Sequence, residues 1–271
     1  MHNVIVLGTG RSGTSMVTAC FRDTGASFGD ELIEATPANP YGYYECRRIN
    51  TLNNKLIFKL LYPPGCFHLR KFVYPKTHED WRSFWAVLPL SARPLELDEE
   101  DDDFVRSLVS RTPFCLKDPR FNATLPSWMP YLPDSVRFIT VFRCPLRTVD
   151  SMLRDASETY SPALPFERNK LLKMWVRSYA RLLKWAQNDP RFLLLDSESV
   201  INGTGRDALE DLVEGELNFD QVDGSVRRSK KQQAITDPTA KTALRMYDRL
   251  QQVAASYLER YQCSKKSVVH N

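Results

Sequence analysis

Between Gly8 and Ser15 the chain reads GTGRSGTS. Glycine lets a backbone close tightly around an anion, and the N–H groups at a following helix start then point at it. Arg11 adds charge-assisted hydrogen bonds, and the hydroxyls of Ser12, Thr14 and Ser15 add donors. Gly10, Arg11, Ser12, Gly13, Thr14 and Ser15 are therefore candidate anion ligands. A second constellation lies in VFRCPLRTVDSMLR, Val141 to Arg154. Arg143 ends an apolar run, and Pro145 suits the first turn of a helix. Ser151 falls eight residues after the arginine, about two helical turns along. An arginine at a strand end and a serine on the next helix can grip one phosphate from two sides. A third group, LKDPR, sets Lys117 and Arg120 just after another apolar run.

These residues need elements to hold them. Val4–Leu7 is a short apolar run that reads as a buried strand. Met16, Val17, Cys20 and Phe21 then recur at helical spacing, which predicts a helix over Ser15–Thr24 stopped by Gly25. Phe114–Leu116, Val136–Phe142 and Phe192–Leu195 read as further strands. Helical patterns occupy roughly Arg47–Leu61, Glu99–Ser110, Leu146–Arg154, Phe166–Ala186 and Pro238–Tyr261. Strands alternating with helices predict an α/β fold, a P-loop-like parallel sheet flanked by helices. Ligands of such sheets bind beyond the carboxyl ends of the strands. Each polar cluster above follows a strand, so the three should converge although they are far apart in sequence. The 271 residues suit one domain, 1–271, with an irregular insertion over about 62–97 that is rich in Pro, Trp, Tyr and Phe.

Set against the nucleoside-triphosphate loop GxxxxGK[ST], Gly8, Gly13 and Ser15 match. Thr14 stands where the lysine belongs, and the cation has moved to Arg11. The segment GRSGTS instead resembles the 5′-phosphosulfate loop of sulfotransferases, in the arginine-bearing form typical of the protein-tyrosine and bacterial branches. Arg143 and Ser151 have the spacing of that family's 3′-phosphate motif. KDPR, and NPYGYYE over Asn39–Glu45, are similar to elements of its bacterial members. The resemblance covers roughly residues 3–60 and 113–155. It implies transfer of a sulfuryl group from 3′-phosphoadenosine 5′-phosphosulfate to an acceptor hydroxyl, with 3′,5′-bisphosphoadenosine as product and no metal.

The same resemblance implies roles. Arg11 and Lys117 are the catalytic cations, with Lys117 stabilising the bridging oxygen or protonating the leaving phosphate. Glu45 is the candidate base; Glu31, Glu34, His68 and His78 are alternatives, and Arg120 is a second-choice cation. The basic cluster Arg227–Lys231 is a further candidate for the 3′-phosphate, although it lacks the glycines of the family's C-terminal motif. The insertion would lie on the acceptor side, its aromatic residues lining an acceptor pocket or forming a small core of their own. Two other readings fit a phosphate-binding loop: a P-loop kinase-like phosphotransferase, and a non-catalytic nucleotide-binding protein.

Composition narrows the partners. A net charge of +4 is too mild for a nucleic-acid partner. No apolar run reaches the ~20 residues of a membrane span, and Val4–Leu7 is too short for a signal peptide. A cytoplasmic protein is expected. The six cysteines are scattered without a CxxC pair, which predicts reduced, mostly buried thiols and no zinc site. The acidic run Glu96–Asp103 reads as a solvated helix start. The sequons at Asn122 and Asn202 are not expected to carry glycan.

Overall fold

The computed structural model describes residues 1–36, 39, 42–62, 89, 91–159, 167–222 and 237–268. Four strands among them form one sheet: β1 (Val4–Leu7), β2 (Cys115–Lys117), β3 (Arg137–Phe142) and β4 (Phe192–Asp196). Their order is β2-β1-β3-β4, and every pairing is parallel. The fold is thus the α/β arrangement that the alternation of elements predicts.

Both faces of the sheet are covered, which is why its strands are mostly apolar rather than alternately so, with Lys117, Arg137, Thr140 and Asp196 as the polar positions. Side chains still alternate between faces. Ile5, Leu7, Leu116, Phe138, Phe142 and Leu194 join one core. Val4, Val6, Cys115, Ile139, Val141, Leu193 and Leu195 join the other. The first face is covered by α2 (Arg47–Leu61), α3 (Glu99–Val109), α4 (Phe121–Trp128), α5 (Pro145–Thr159), α6 (Arg168–Asn188) and α9 (Pro238–Val268). The second, thinner cover comes from α1 (Thr14–Ala19), α7 (Ser197–Ile201) and α8 (Arg206–Val213). Trp128, Trp175 and Tyr179 are fully buried on the first face. No helix of the described residues is long and apolar enough to cross a membrane.

Several boundaries differ from the sequence expectation. Helix α1 ends at Ala19 rather than Thr24, because the N–H groups of Cys20, Phe21 and Arg22 turn to the carbonyls three residues back. That tightened turn closes at Gly25, whose φ of 75° suits glycine. Helix α4 has no counterpart in the expected helices. Its interior Pro126 and short length hide the pattern, but its Asn122, Thr124, Leu125 and Trp128 are buried. Asn122, in the first sequon, is fully buried and unable to carry glycan in this fold. Asn202, in the second, is exposed. The acidic run does start a helix: Asp98 caps α3 by accepting from the Asp101 N–H at 3.1 Å. Cys20, Cys46, Cys115 and Cys144 are free thiols, the first three buried. Most of the stretch 62–97, with His68 and His78, lies outside the described residues, as does Arg227–Lys231.

The strand order fixes where ligands can go. From β1 the chain crosses to β2 on one side, and from β3 it crosses to β4 on the other. The crevice between diverging connections opens above the carboxyl ends of β1 and β3. Gly8 follows β1 and Arg143 follows β3.

Candidate functional site

The loop after β1 is pinned from below. The Gly8 N–H donates to Asn122 Oδ1 at 3.1 Å. The Thr9 N–H donates to the Tyr179 hydroxyl at 3.3 Å, and that hydroxyl donates to the Val141 carbonyl at 2.7 Å. Tyr179 therefore ties helix α6, strand β3 and the loop together. Gly8 has no room for a side chain: a Cβ there would sit 2.4 Å from the Val141 carbonyl oxygen. Gly13 has φ of 97°, and a Cβ there would meet Ser197 at 2.8 Å. Arg11 adopts φ of 64°. Left-handed residues alternating with right-handed ones turn neighbouring N–H groups to one side, the geometry of anion-binding nests. Among the described residues, none accepts a hydrogen bond from the N–H of Gly10, Gly13, Thr14 or Ser15.

Gly10, Arg11, Gly13, Ser15, Glu45, Lys117, Arg120, Arg143 and Ser151 line one cavity. Ser12 and Thr14 are buried beneath it instead, and Ser12 Oγ donates to the Thr9 carbonyl at 2.7 Å. The Ser12 hydroxyl thus shapes the loop. Glu31 and Glu34 are exposed and do not line it.

The two anion anchors touch. Arg11 Nε donates to Ser151 Oγ at 3.0 Å, so the loop cation reaches the serine of the second motif. Arg143 makes no hydrogen bond to a described residue. Burial pulls its guanidinium below its ordinary value, while Glu198 nearby pulls the other way. A guanidinium remains charged at neutral pH despite such a shift. Asp155 lines the same cavity one helical turn beyond Ser151 and is buried.

Opposite the anchors, Lys117 at the end of β2 is buried and surrounded by oxygens. Its Nζ donates to Glu45 Oε1 at 2.5 Å, Ser15 Oγ at 3.1 Å and the Tyr43 carbonyl at 3.1 Å. Buried charges of this kind persist only when paired and hydrogen-bonded. Glu45 Oε2 accepts from Asn50 Nδ2 at 3.2 Å. The same nitrogen donates to Asp118 Oδ2 at 2.6 Å. Asp118 Oδ1 accepts from the Arg120 N–H at 2.7 Å and from its guanidinium at 3.2 Å. Arg120 Nε then donates to Asn54 Oδ1 at 2.6 Å. Sequence reasoning missed Asn50, Asp155, Asn122 and Tyr179. Only Asp155 carries a local signal, since it stands four residues after Ser151 and so shares its helix face. Among the described residues no cluster of His, Cys, Asp and Glu is arranged to hold a metal ion.

No protein-family model matches the chain, and no curated protein does. Among solved structures, the sulfotransferase domain from the Synechococcus PCC 7002 olefin synthase aligns with a TM-score of 0.50 at 12% identity. The alignment covers 91% of this chain and 93% of that one. The sulfotransferase domain from the curacin biosynthetic pathway aligns with a TM-score of 0.43 at 10% identity, covering 89% of this chain and 82% of that one. The first likeness shows the class of fold: a P-loop-like α/β sheet of the kind seen in a sulfotransferase domain.

Proposed function

We propose that this protein transfers a sulfuryl group from 3′-phosphoadenosine 5′-phosphosulfate to an acceptor hydroxyl. One observation carries the reading: two separate anion anchors, on the neighbouring strand ends of β1 and β3, face a cavity that also holds the Lys117–Glu45 pair. A donor with phosphates at both ends of its ribose needs two anchors, whereas a nucleoside triphosphate needs one run of phosphates. Thr14 in place of the triphosphate-loop lysine supports the same choice.

In this reading the loop N–H groups, with Lys117, receive the 5′-phosphosulfate, and Arg143 with Ser151 receives the 3′-phosphate. Arg11 serves both ends, because it sits on the loop and bonds Ser151. Glu45 takes the proton of the acceptor hydroxyl, and the acceptor oxygen forms a new bond to sulfur. The bond from sulfur to the bridging oxygen breaks, and its electron pair stays on the 5′-phosphate. Lys117 offsets that charge or supplies a proton to it. Before the donor arrives Lys117 is held by Glu45, so phosphosulfate competes for the ammonium and frees the carboxylate to act as base. NPYGYYE and KDPR support the bacterial branch, and the arginine-bearing loop GRSGTS supports the bacterial and protein-tyrosine branches together. The free thiols suit a reducing compartment such as the cytoplasm.

Calorimetry with 3′,5′-bisphosphoadenosine tests the reading. Binding that is unchanged when magnesium is withdrawn is expected. No binding, or binding only with magnesium, overturns it, and ATP-dependent phosphoryl transfer would put a kinase-like reading in its place.

A further inference from the structure

Along the cavity wall runs an unbroken line of polar groups: Arg120, Asp118, Asn50, Glu45 and Lys117. A cation closes each end, and the two carboxylates meet across one neutral amide in the middle. Asp118 is fully buried, and Lys117, Arg120 and Glu45 are nearly so. Carboxylate oxygens only accept, so the Asn50 amide must present its nitrogen to both. That nitrogen has two hydrogens, and the two carboxylates take one each at 3.2 and 2.6 Å. Asn50 therefore holds Glu45 and Asp118 apart and fixes the direction of both.

We infer that Asn50 and Asp118 are positioning residues, which hold Glu45 as an oriented carboxylate with Oε1 turned to Lys117. The inference deepens the sulfotransferase reading and rests on it for the role of Glu45. Asp118 acts at a distance. Its far oxygen is anchored by Arg120 and its near oxygen fixes the amide, so the amide cannot swing away from Glu45. Without that brace Glu45 would be held by Lys117 alone and would follow the ammonium when phosphosulfate draws it away.

Charge on this line also acts on the Glu45 carboxylate. The groups facing Glu45 are Lys117 from β2, the Tyr43 phenol from its own loop and, through Asn50, Asp118 with Arg120. Across the cavity stand Arg11, Arg143 and Asp155. Asn50→Asp adds a negative charge and removes a donor, which favours the protonated carboxyl. Asp118→Asn removes a negative charge and favours the ionised one.

Carbon-13 NMR of the glutamate carboxyls in the full chain reads this directly, with the Glu45 signal assigned by its loss in Glu45→Gln. Expected is a titration midpoint that moves up in Asn50→Asp and down in Asp118→Asn. Disrupted packing alone would not move the two isosteric variants in opposite directions. If Asp118→Asn fails to fold, Asn50→Leu replaces it: loss of the amide without added charge raises the midpoint by less than Asn50→Asp does. In sulfuryl transfer from labelled donor, Asn50→Leu should lower kcat about 10-fold or more with donor KM within about 2-fold. Unmoved midpoints, or equal shifts of one sign, overturn the inference. Calorimetry with 3′,5′-bisphosphoadenosine separates the two readings. If it binds and the midpoints stay, only the positioning role falls; if it does not bind, the sulfotransferase reading falls while the titration still reports the line of charges.

Discussion

Arg143 and Glu45 divide the work at the scale of single residues. The Arg143 guanidinium faces the cavity with no hydrogen bond to a described residue, so a phosphate oxygen there would gain charge-assisted bonds without displacing any of them. Arg143→Ala should weaken 3′,5′-bisphosphoadenosine binding by about 1.5–3 kcal/mol, the scale of hydrogen bonds to charged groups. Calorimetry on the variant checks this. Glu45 has a different signature, because its carboxylate touches Lys117 and Asn50 rather than the anchors. Glu45→Gln should lower turnover with little loss of donor affinity. A variant that keeps its full rate would move the base to another group. Arg11 shows why residue type alone does not assign a role. It sits on the phosphosulfate loop while its Nε donates to Ser151 of the second anchor, so one side chain serves both ends.

The loop between β1 and α1 owes its shape to its neighbours. Tyr179 on α6 supplies one hydroxyl to both Thr9 and Val141, and Asn122 on α4 supplies one carbonyl oxygen to Gly8. Tyr179→Phe leaves a buried N–H and a buried carbonyl without that partner. The expected loss is about 1–3 kcal/mol of stability, read as a lower denaturant midpoint, with weaker donor binding because the loop loses its tie. Gly8→Ala tests the same element by steric means. Its Cβ would press on the Val141 carbonyl and its φ of 145° disfavours a side chain. About 1–3 kcal/mol of destabilisation is expected from such overpacking, visible in the same denaturant titration. Helix α4 contributes through Asn122 alone to the loop and through Arg120, at its N-cap, to the charge line.

For the molecule as a whole, the two cores carry a titratable load. Burial pushes the Cys20 thiol from its ordinary 9.0 up to about 12, and the Cys115 thiol well above 9.0. An unfolded chain releases these protons near pH 9, whereas the folded protein keeps them. Folding therefore binds more protons than unfolding in that range, and stability falls as pH rises. The contribution is complete below pH 9 and is lost progressively between about pH 9 and 12. Tyr179 and Tyr247, also pushed up by burial, deepen the loss above pH 10. Thermal melts should show Tm falling from pH 9 upward. The pair Cys20→Ala with Cys115→Ala should flatten the fall between pH 9 and 10, before the tyrosines contribute.

What the sequence determines by itself is local. Four apolar residues followed by Gly8, then Met16, Val17, Cys20 and Phe21 at helical spacing, suffice for a strand, a turn and a helix. Largely apolar strands between helical patterns suffice for a covered parallel sheet. Arg143 and Ser151 are legible as a pair because one helix spaces them. Only the tertiary structure decides who meets whom. Lys117 and Glu45 are 72 residues apart, Asn50 and Asp118 are 68 apart, and Arg11 and Ser151 are 140 apart. Periodicity reports which face of an element is apolar. It does not report strand order, and here the order β2-β1-β3-β4 brings these groups to one crevice. The buried polar contacts of Asn50, Asn122 and Tyr179 were invisible for the same reason. A polar residue in an apolar pattern looks solvent-facing until the partner that satisfies it is brought in from elsewhere in the chain.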